Sequence, residues 1–146
     1  MFLENLEKDG FKILKKKFTQ NAFYSKISKN KIEIRFEVLF KEIKNYITKE
    51  YETVEGTRFV INTLSSESLI LEKISAYLKR GFIRDIYDIY FLLRYSSKEK
   101  IKNALLKLLK NFKKTVNEKE LKFLIIIGVA PKLEEILNKI KKYAEG

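Results

Sequence analysis

The chain has 146 residues, 45% of them hydrophobic, and its 31 Lys plus Arg against 19 Asp plus Glu give a formal charge of +12. That length holds one domain or one lobe of something larger; the charge makes polyanions such as nucleic acid or nucleotide phosphates natural partners, although lysine- and glutamate-rich composition also marks heat-adapted proteins. With no cysteine and no histidine, disulfides, thiolate or imidazole zinc sites and Ser-His-Asp or Cys-His catalysis are excluded, leaving carboxylates, lysine, arginine and tyrosine as the available chemistry.

The opening MFLENLEKDGF mixes acidic residues with its apolar ones, unlike the basic and then apolar regions of a signal peptide. The longest uncharged apolar run, Phe123 to Ala130, is far short of the ~20 residues a membrane span requires. A soluble cytoplasmic protein with no membrane contact is expected. Phe2, Leu3 and Leu6 form a short amphipathic start that Gly10 stops, and β-rich stretches follow: FKILKKKF, AFYSKI and KIEIRFEVLF. In the last of these, positions 32, 34, 36 and 38 are apolar on one face, with Glu33, Arg35 and Glu37 on the other. TRFVIN, after the turn residue Gly56, reads as one more strand.

From Ser65 the signals turn helical. Ser66 suits an N-cap, Leu69, Ile70, Ile74, Tyr77 and Leu78 have helical spacing, and Gly81 suits a stop. A second helix is predicted from about Ile83 to Arg94. Ser96-Ser97-Lys98-Glu99 fits a capping box opening a third helix, and Thr115-Val116-Asn117-Glu118 fits another, opening ELKFLIIIGV. Pro131 suits the first turn of a final helix, KLEEILNKIKKY. The fold class is α+β, a small antiparallel or mixed sheet over residues 1–64 followed by a helical bundle over 65–146, packed as one compact unit.

The stretch EKISAYLKRGFIRDIYDIYFLL sets Arg84, Asp85 and Asp88 into an apolar and aromatic run. Asp85 and Asp88, three apart, are neighbours on one helix face, and Arg84 lies one turn before Asp88. A continuous helix would bring Lys73 and Arg80 to the same spot; Gly81 equally allows a corner between two helices. The surrounding Ile86, Tyr87, Ile89, Tyr90 and Phe91 leave almost no solvated face, so Asp88 should be partly covered and held by arginine or lysine, or coordinate something. The structural alternative is an Arg84–Asp88 pair, with Asp85 favouring its helix N-terminus. Tyr77, Tyr87, Tyr90 and Phe91 could stack on a base, but aromatics at this spacing usually belong to a core.

The segment from Leu71-Glu72-Lys73 to Arg84-Asp85-Ile86-Tyr87-Asp88, a lysine followed by eleven residues and then Asp-x-x-Asp, resembles the third motif of the nucleotidyltransferase AbiEii/AbiGii toxin family, and LSSESLILEK resembles that family's entry into the same helix. The resemblance implies a nucleotidyltransferase fold, whose mixed sheet presents three carboxylates to Mg²⁺ while helices complete a nucleotide pocket. Ile32-Glu33-Ile34 resembles the strand carrying the third carboxylate, which makes Glu33 the metal ligand, or Glu37 in another register. The family's first motif, a Gly-Gly or Gly-Ser turn followed by Asp-x-Asp, has no counterpart in this sequence. The sheet is therefore expected to be incomplete.

What the resemblance implies for a complete site is catalytic roles for Lys73, Asp85 and Asp88 and contacts from Arg80 and Arg84 to nucleotide phosphates. One of the two aspartates would orient a cation and the other assist deprotonation of the attacking hydroxyl. A nucleoside triphosphate would be donor and RNA, with tRNA favoured, the acceptor; an antitoxin, or a complementary chain carrying the first motif, would be the partner. Mg²⁺ would bind only once the site is completed, so this chain by itself is expected to be inactive. The alternative is a non-catalytic basic module that binds RNA or a protein through the helices Ile101 to Phe112 and Glu118 to Gly128.

Overall fold

A computed structural model describes residues 2–43 and 46–146. The backbone divides into two units, residues 1–44 and 45–146.

In the first unit a short helix α1 (Phe2–Lys8) precedes three strands, β1 (Lys12–Phe18), β2 (Ala22–Lys29) and β3 (Ile32–Leu39). They form an antiparallel sheet in the order β1-β2-β3. Alternation decides its faces. Phe23, Ser25 and Ile27 of the central strand are buried, and α1 packs on this side, with Leu3 buried and Phe2 edge-on to Phe36 at 5.5 Å. The opposite face carries Lys15, Lys17, Tyr24, Lys26, Arg35 and Glu37. The β2–β3 hairpin turns on Asn30 and Lys31, both at positive φ (52° and 67°), the conformation a tight two-residue turn requires.

The second unit opens with a strand pair that the sequence reading captured only in half. β5 (Arg58–Thr63) lies where TRFVIN predicted it, but its partner β4 (Ile47–Glu52) was not recognised. Its ITKEYE sets Lys49 between Ile47 and Tyr51 on one face and Thr48, Glu50 and Glu52 on the other, which leaves no wholly apolar face. Both sheets are antiparallel among the described residues. The predicted division at 64/65 differs from that of the backbone, in which β4 and β5 belong with the helices.

The helices are α2 (Ser66–Arg80), α3 (Ile83–Leu92) with a 3-10 turn at Leu93–Tyr95, α4 (Lys98–Lys110), a one-turn α5 (Leu121–Leu124) and α6 (Leu133–Glu145). Their core gathers Ile70, Ile74 and Tyr77 of α2, Ile86 and Ile89 of α3, Ile101, Leu105 and Leu108 of α4, and Ile136 and Ile140 of α6. Each set repeats at three- to four-residue intervals, so each helix turns one apolar stripe inward. None of the described helices is long and apolar enough to cross a membrane.

The N-cap of α2 is Ser65 rather than Ser66: its Oγ accepts from the Ser68 N–H at 3.2 Å. Pro131 lies just ahead of α6, whose N-cap is Lys132 with its N–H donating to Glu135 Oε2 at 2.9 Å. The helix predicted over Glu118 to Gly128 stops at Leu124. Asn117 is left-handed (φ 61°) and the Thr115 hydroxyl is taken by Tyr77 at 3.2 Å, so no capping box forms. The β-branched run Ile125-Ile126-Ile127 then disfavours helix.

The capping box expected at Ser96–Glu99 is replaced by a tertiary cap. Ser97 is the N-cap of α4, and its N–H donates to Glu67 Oε1 of α2 at 3.0 Å. This bond holds the Glu67 carboxyl below its ordinary 4.5. Because the folded value is the depressed one, the stabilisation is present above about pH 4.5 and is lost as pH falls through the depressed value. Glu67→Ala is expected to cost about 1 kcal/mol at pH 7, with the gap to wild type closing on acidification below pH 4.5. Parallel thermal-melting profiles across that range would contradict the assignment.

Candidate active site

Lys73 and Arg80, two turns apart on α2, project along one stripe of that helix. Gly81 then ends it in the left-handed conformation (φ 72°), its N–H bonding to the Tyr77 carbonyl at 2.7 Å. The corner is braced by a neighbouring segment: the Val116 N–H donates to the Gly81 carbonyl at 2.8 Å, and the Ile83 N–H to the Val116 carbonyl at 3.1 Å. A Cβ at residue 81 would meet the Lys114 carbonyl at 3.4 Å, an ordinary contact, so it is the left-handed conformation rather than space that calls for glycine here.

This turn brings the first turns of α3 against the stripe on α2. Asp85 is completely buried, and a buried carboxylate needs charged partners. Arg80 supplies them as a fork, Nε donating to Oδ2 at 2.8 Å and a terminal nitrogen to Oδ1 at 2.6 Å. Lys73 Nζ lies 4.0 Å from the same Oδ1 and 2.5 Å from Asp88 Oδ2. The hydrogen bond to Asp85 raises the pKa of Arg80. Lys73 thus bridges the two aspartates, and both Lys73 and Asp88 remain about one-third exposed (34% and 38%).

Four of the residues picked out by sequence therefore converge: Lys73, Arg80, Asp85 and Asp88. Arg84 differs. The anticipated Arg84–Asp88 pair is absent, because Asp88 takes its cation from the facing helix, and Arg84 is exposed with no ion pair among the described residues. Its guanidinium lies 5.2 Å from the centre of the Phe82 ring, which Arg80 also approaches to 5.1 Å. Phe82 is the member of this group that sequence reasoning missed. The signal was the alternation Arg80-Gly81-Phe82-Ile83-Arg84, an aromatic flanked at two residues on each side by cations. Of the aromatics considered for base stacking, Tyr77 is core: it is fully buried, with its hydroxyl donating to the Lys113 carbonyl at 2.6 Å.

Glu33 belongs to the first unit. It stands on the sheet face opposite α1, and its carboxylate is paired with Lys26 Nζ at 2.6 Å. Among the described residues no three acidic side chains gather as a metal would require. One lysine-bound carboxylate does not fit Mg²⁺, which needs an octahedral oxygen shell.

The family model of the nucleotidyl transferase AbiEii toxin of type IV toxin–antitoxin systems matches residues 3–143. The chain belongs to the AbiEii family. No curated protein and no solved structure matches it. The α2–α3 corner of this AbiEii chain contains the Lys73, Asp85 and Asp88 pattern by which its sequence resembles the family, now as one connected charge cluster.

Proposed function

We propose that this AbiEii chain provides the nucleotide-holding helical corner of a nucleotidyltransferase toxin that, in complete form, transfers a nucleotidyl group from a nucleoside triphosphate to RNA, with tRNA the favoured acceptor. The observation that carries the reading is the bridging of Asp85 and Asp88 by Lys73 beside a second, exposed arginine: three cations, Lys73, Arg80 and Arg84, face two carboxylates, leaving net positive charge at the corner. Arg84, lacking an acidic partner among the described residues, is the cation best able to bind a triphosphate.

The different burial of the two aspartates supports a division of labour. Asp85, enclosed and held through both oxygens by Arg80, positions the cations. Asp88, at the exposed edge, accepts the proton of the attacking hydroxyl. That oxygen then bonds to the α-phosphorus as the bond to pyrophosphate breaks, and the cations stabilise the departing charge. Carboxylates of the family's first motif, which this sequence lacks, would have to be added before transfer occurs. An antitoxin, or a chain carrying that motif, is the expected partner.

The experiment is to incubate the chain with labelled nucleoside triphosphate, Mg²⁺ and total tRNA, with and without an added lobe bearing Asp-x-Asp. Labelling is expected only with the lobe; strong labelling by the chain alone would refute the inactivity. One observation favours a second, non-catalytic reading. Phe123, Ile126, Ile127 and Val129 are 77–96% exposed, an apolar segment suited to a protein partner. Under that reading, partner binding survives alanine at Lys73, Asp85 and Asp88, and no transfer appears with any lobe.

A further inference from the structure

The face of the first unit's sheet away from α1 carries an arrangement that folding alone does not favour. Lys15 on β1 stands directly opposite Lys26 on β2, which stands directly opposite Arg35 on β3. Like charges facing each other across strands destabilise a sheet. The next row is Lys17, Tyr24 and Glu37. Lys26 has Glu33 as counter-ion at 2.6 Å, whereas Lys15, Lys17 and Arg35 form no ion pair among the described residues. These side chains line a shallow groove of about 630 Å³, on the side of the sheet away from α1.

We propose that this face is a docking surface for single-stranded RNA, RNA being the polymer that the transfer reading supplies as acceptor. The cations are dispersed in rows about 4.8 Å apart across strands and roughly 6.7 Å apart along them, a track suited to successive phosphates rather than one triphosphate. Tyr24, 38% exposed in the middle of the second row, offers a ring on which a base stacks. Cations along a groove with an interleaved aromatic are the means by which single strands are held without sequence preference. An anionic lipid surface fits less well, since of the exposed apolar side chains of β3 three, Ile32, Ile34 and Val38, lie on the other face and Leu39 alone shares the face of Arg35 and Glu37.

The test is fluorescence anisotropy of the full chain with a labelled 12-nucleotide oligouridylate over a range of salt, without nucleotide or metal, so that it reads binding independently of transfer. Lys15→Gln/Lys17→Gln/Arg35→Gln is expected to weaken binding at least tenfold and to reduce the salt slope by about 2, the loss of three phosphate contacts at ~0.7 each. Tyr24→Leu should weaken it roughly 5- to 100-fold with the slope unchanged. A charge-matched control, Lys139→Gln/Lys141→Gln/Lys142→Gln on α6 of the second unit, should change affinity less than threefold. Melting temperatures of the sheet variants should equal or exceed wild type, because opposed like charges are removed. Equal losses in both triple variants, no loss in the first, or equally strong capture of anionic vesicles by the same face would overturn the proposal. Failure here with successful lobe-dependent labelling would refute this surface alone.

Discussion

Replacing Arg80 by methionine is expected to destabilise the second unit by about 3 kcal/mol at pH 7, the lower end of what breaking a buried ion pair costs. The loss lies in what remains: Asp85, fully enclosed, would keep only Lys73 at 4.0 Å in place of two hydrogen bonds at 2.6 and 2.8 Å. Lys73 can move closer, which is why the effect falls short of the upper figure. In chemical or thermal unfolding this is a melting shift of roughly 10 °C for a chain of this size. Adding Asp85→Leu to the arginine variant should restore much of the stability. Unchanged stability in Arg80→Met would mean that Asp85 is not held as described.

The second large effect concerns chemistry. With the carboxylate-bearing lobe supplied, Asp88→Asn is expected to lower the rate of nucleotide transfer by 10²–10⁴, the range for removing a positioned proton acceptor, and Lys73→Ala by about 10²–10³ through lost electrostatic stabilisation. Neither should unfold the protein, because their pair is about one-third exposed and such pairs contribute at most about 1 kcal/mol. Arg84→Ala should chiefly raise KM for the triphosphate, as expected for a cation with no acidic partner among the described residues. The double variant Lys73→Ala/Asp88→Asn should be scarcely worse than either single one, since the two act as a unit. Labelling of tRNA at undiminished rates by Lys73→Ala and Asp88→Asn would remove the corner from catalysis.

Much of this was legible in the sequence because the signals were local. A serine-rich entry, a glycine stop and two aspartates three residues apart specify two helices and a corner, and they are found where expected, to within a residue or two. The choice of partners was not legible. Spacing along one helix favoured Arg84 for Asp88, whereas the fold presents Lys73 from the facing helix, and sequence periodicity carries no information on which side chains meet across a crossing. The same holds for Ser97, whose cap partner lies thirty residues away at Glu67. ELKFLIIIGV failed for a different reason: its apolar spacing resembled a helix, but β-branching at three consecutive isoleucines outweighs it. Glu33 matched a strand pattern and was found on that strand, yet pattern alone could not show that Lys26 engages it.

The position of α6 in the chain has a consequence for how the protein is made. Ile136, Ile140 and Ala144 fill a core whose other walls, α2, α3 and α4, emerge from the ribosome earlier. Until the segment through Ala144 has been released, Ile101, Leu105 and Leu108 have no lid, and a nascent chain stalled before it would display greasy surface to chaperones and proteases. A helical unit built this way closes its core only when translation of that segment is finished.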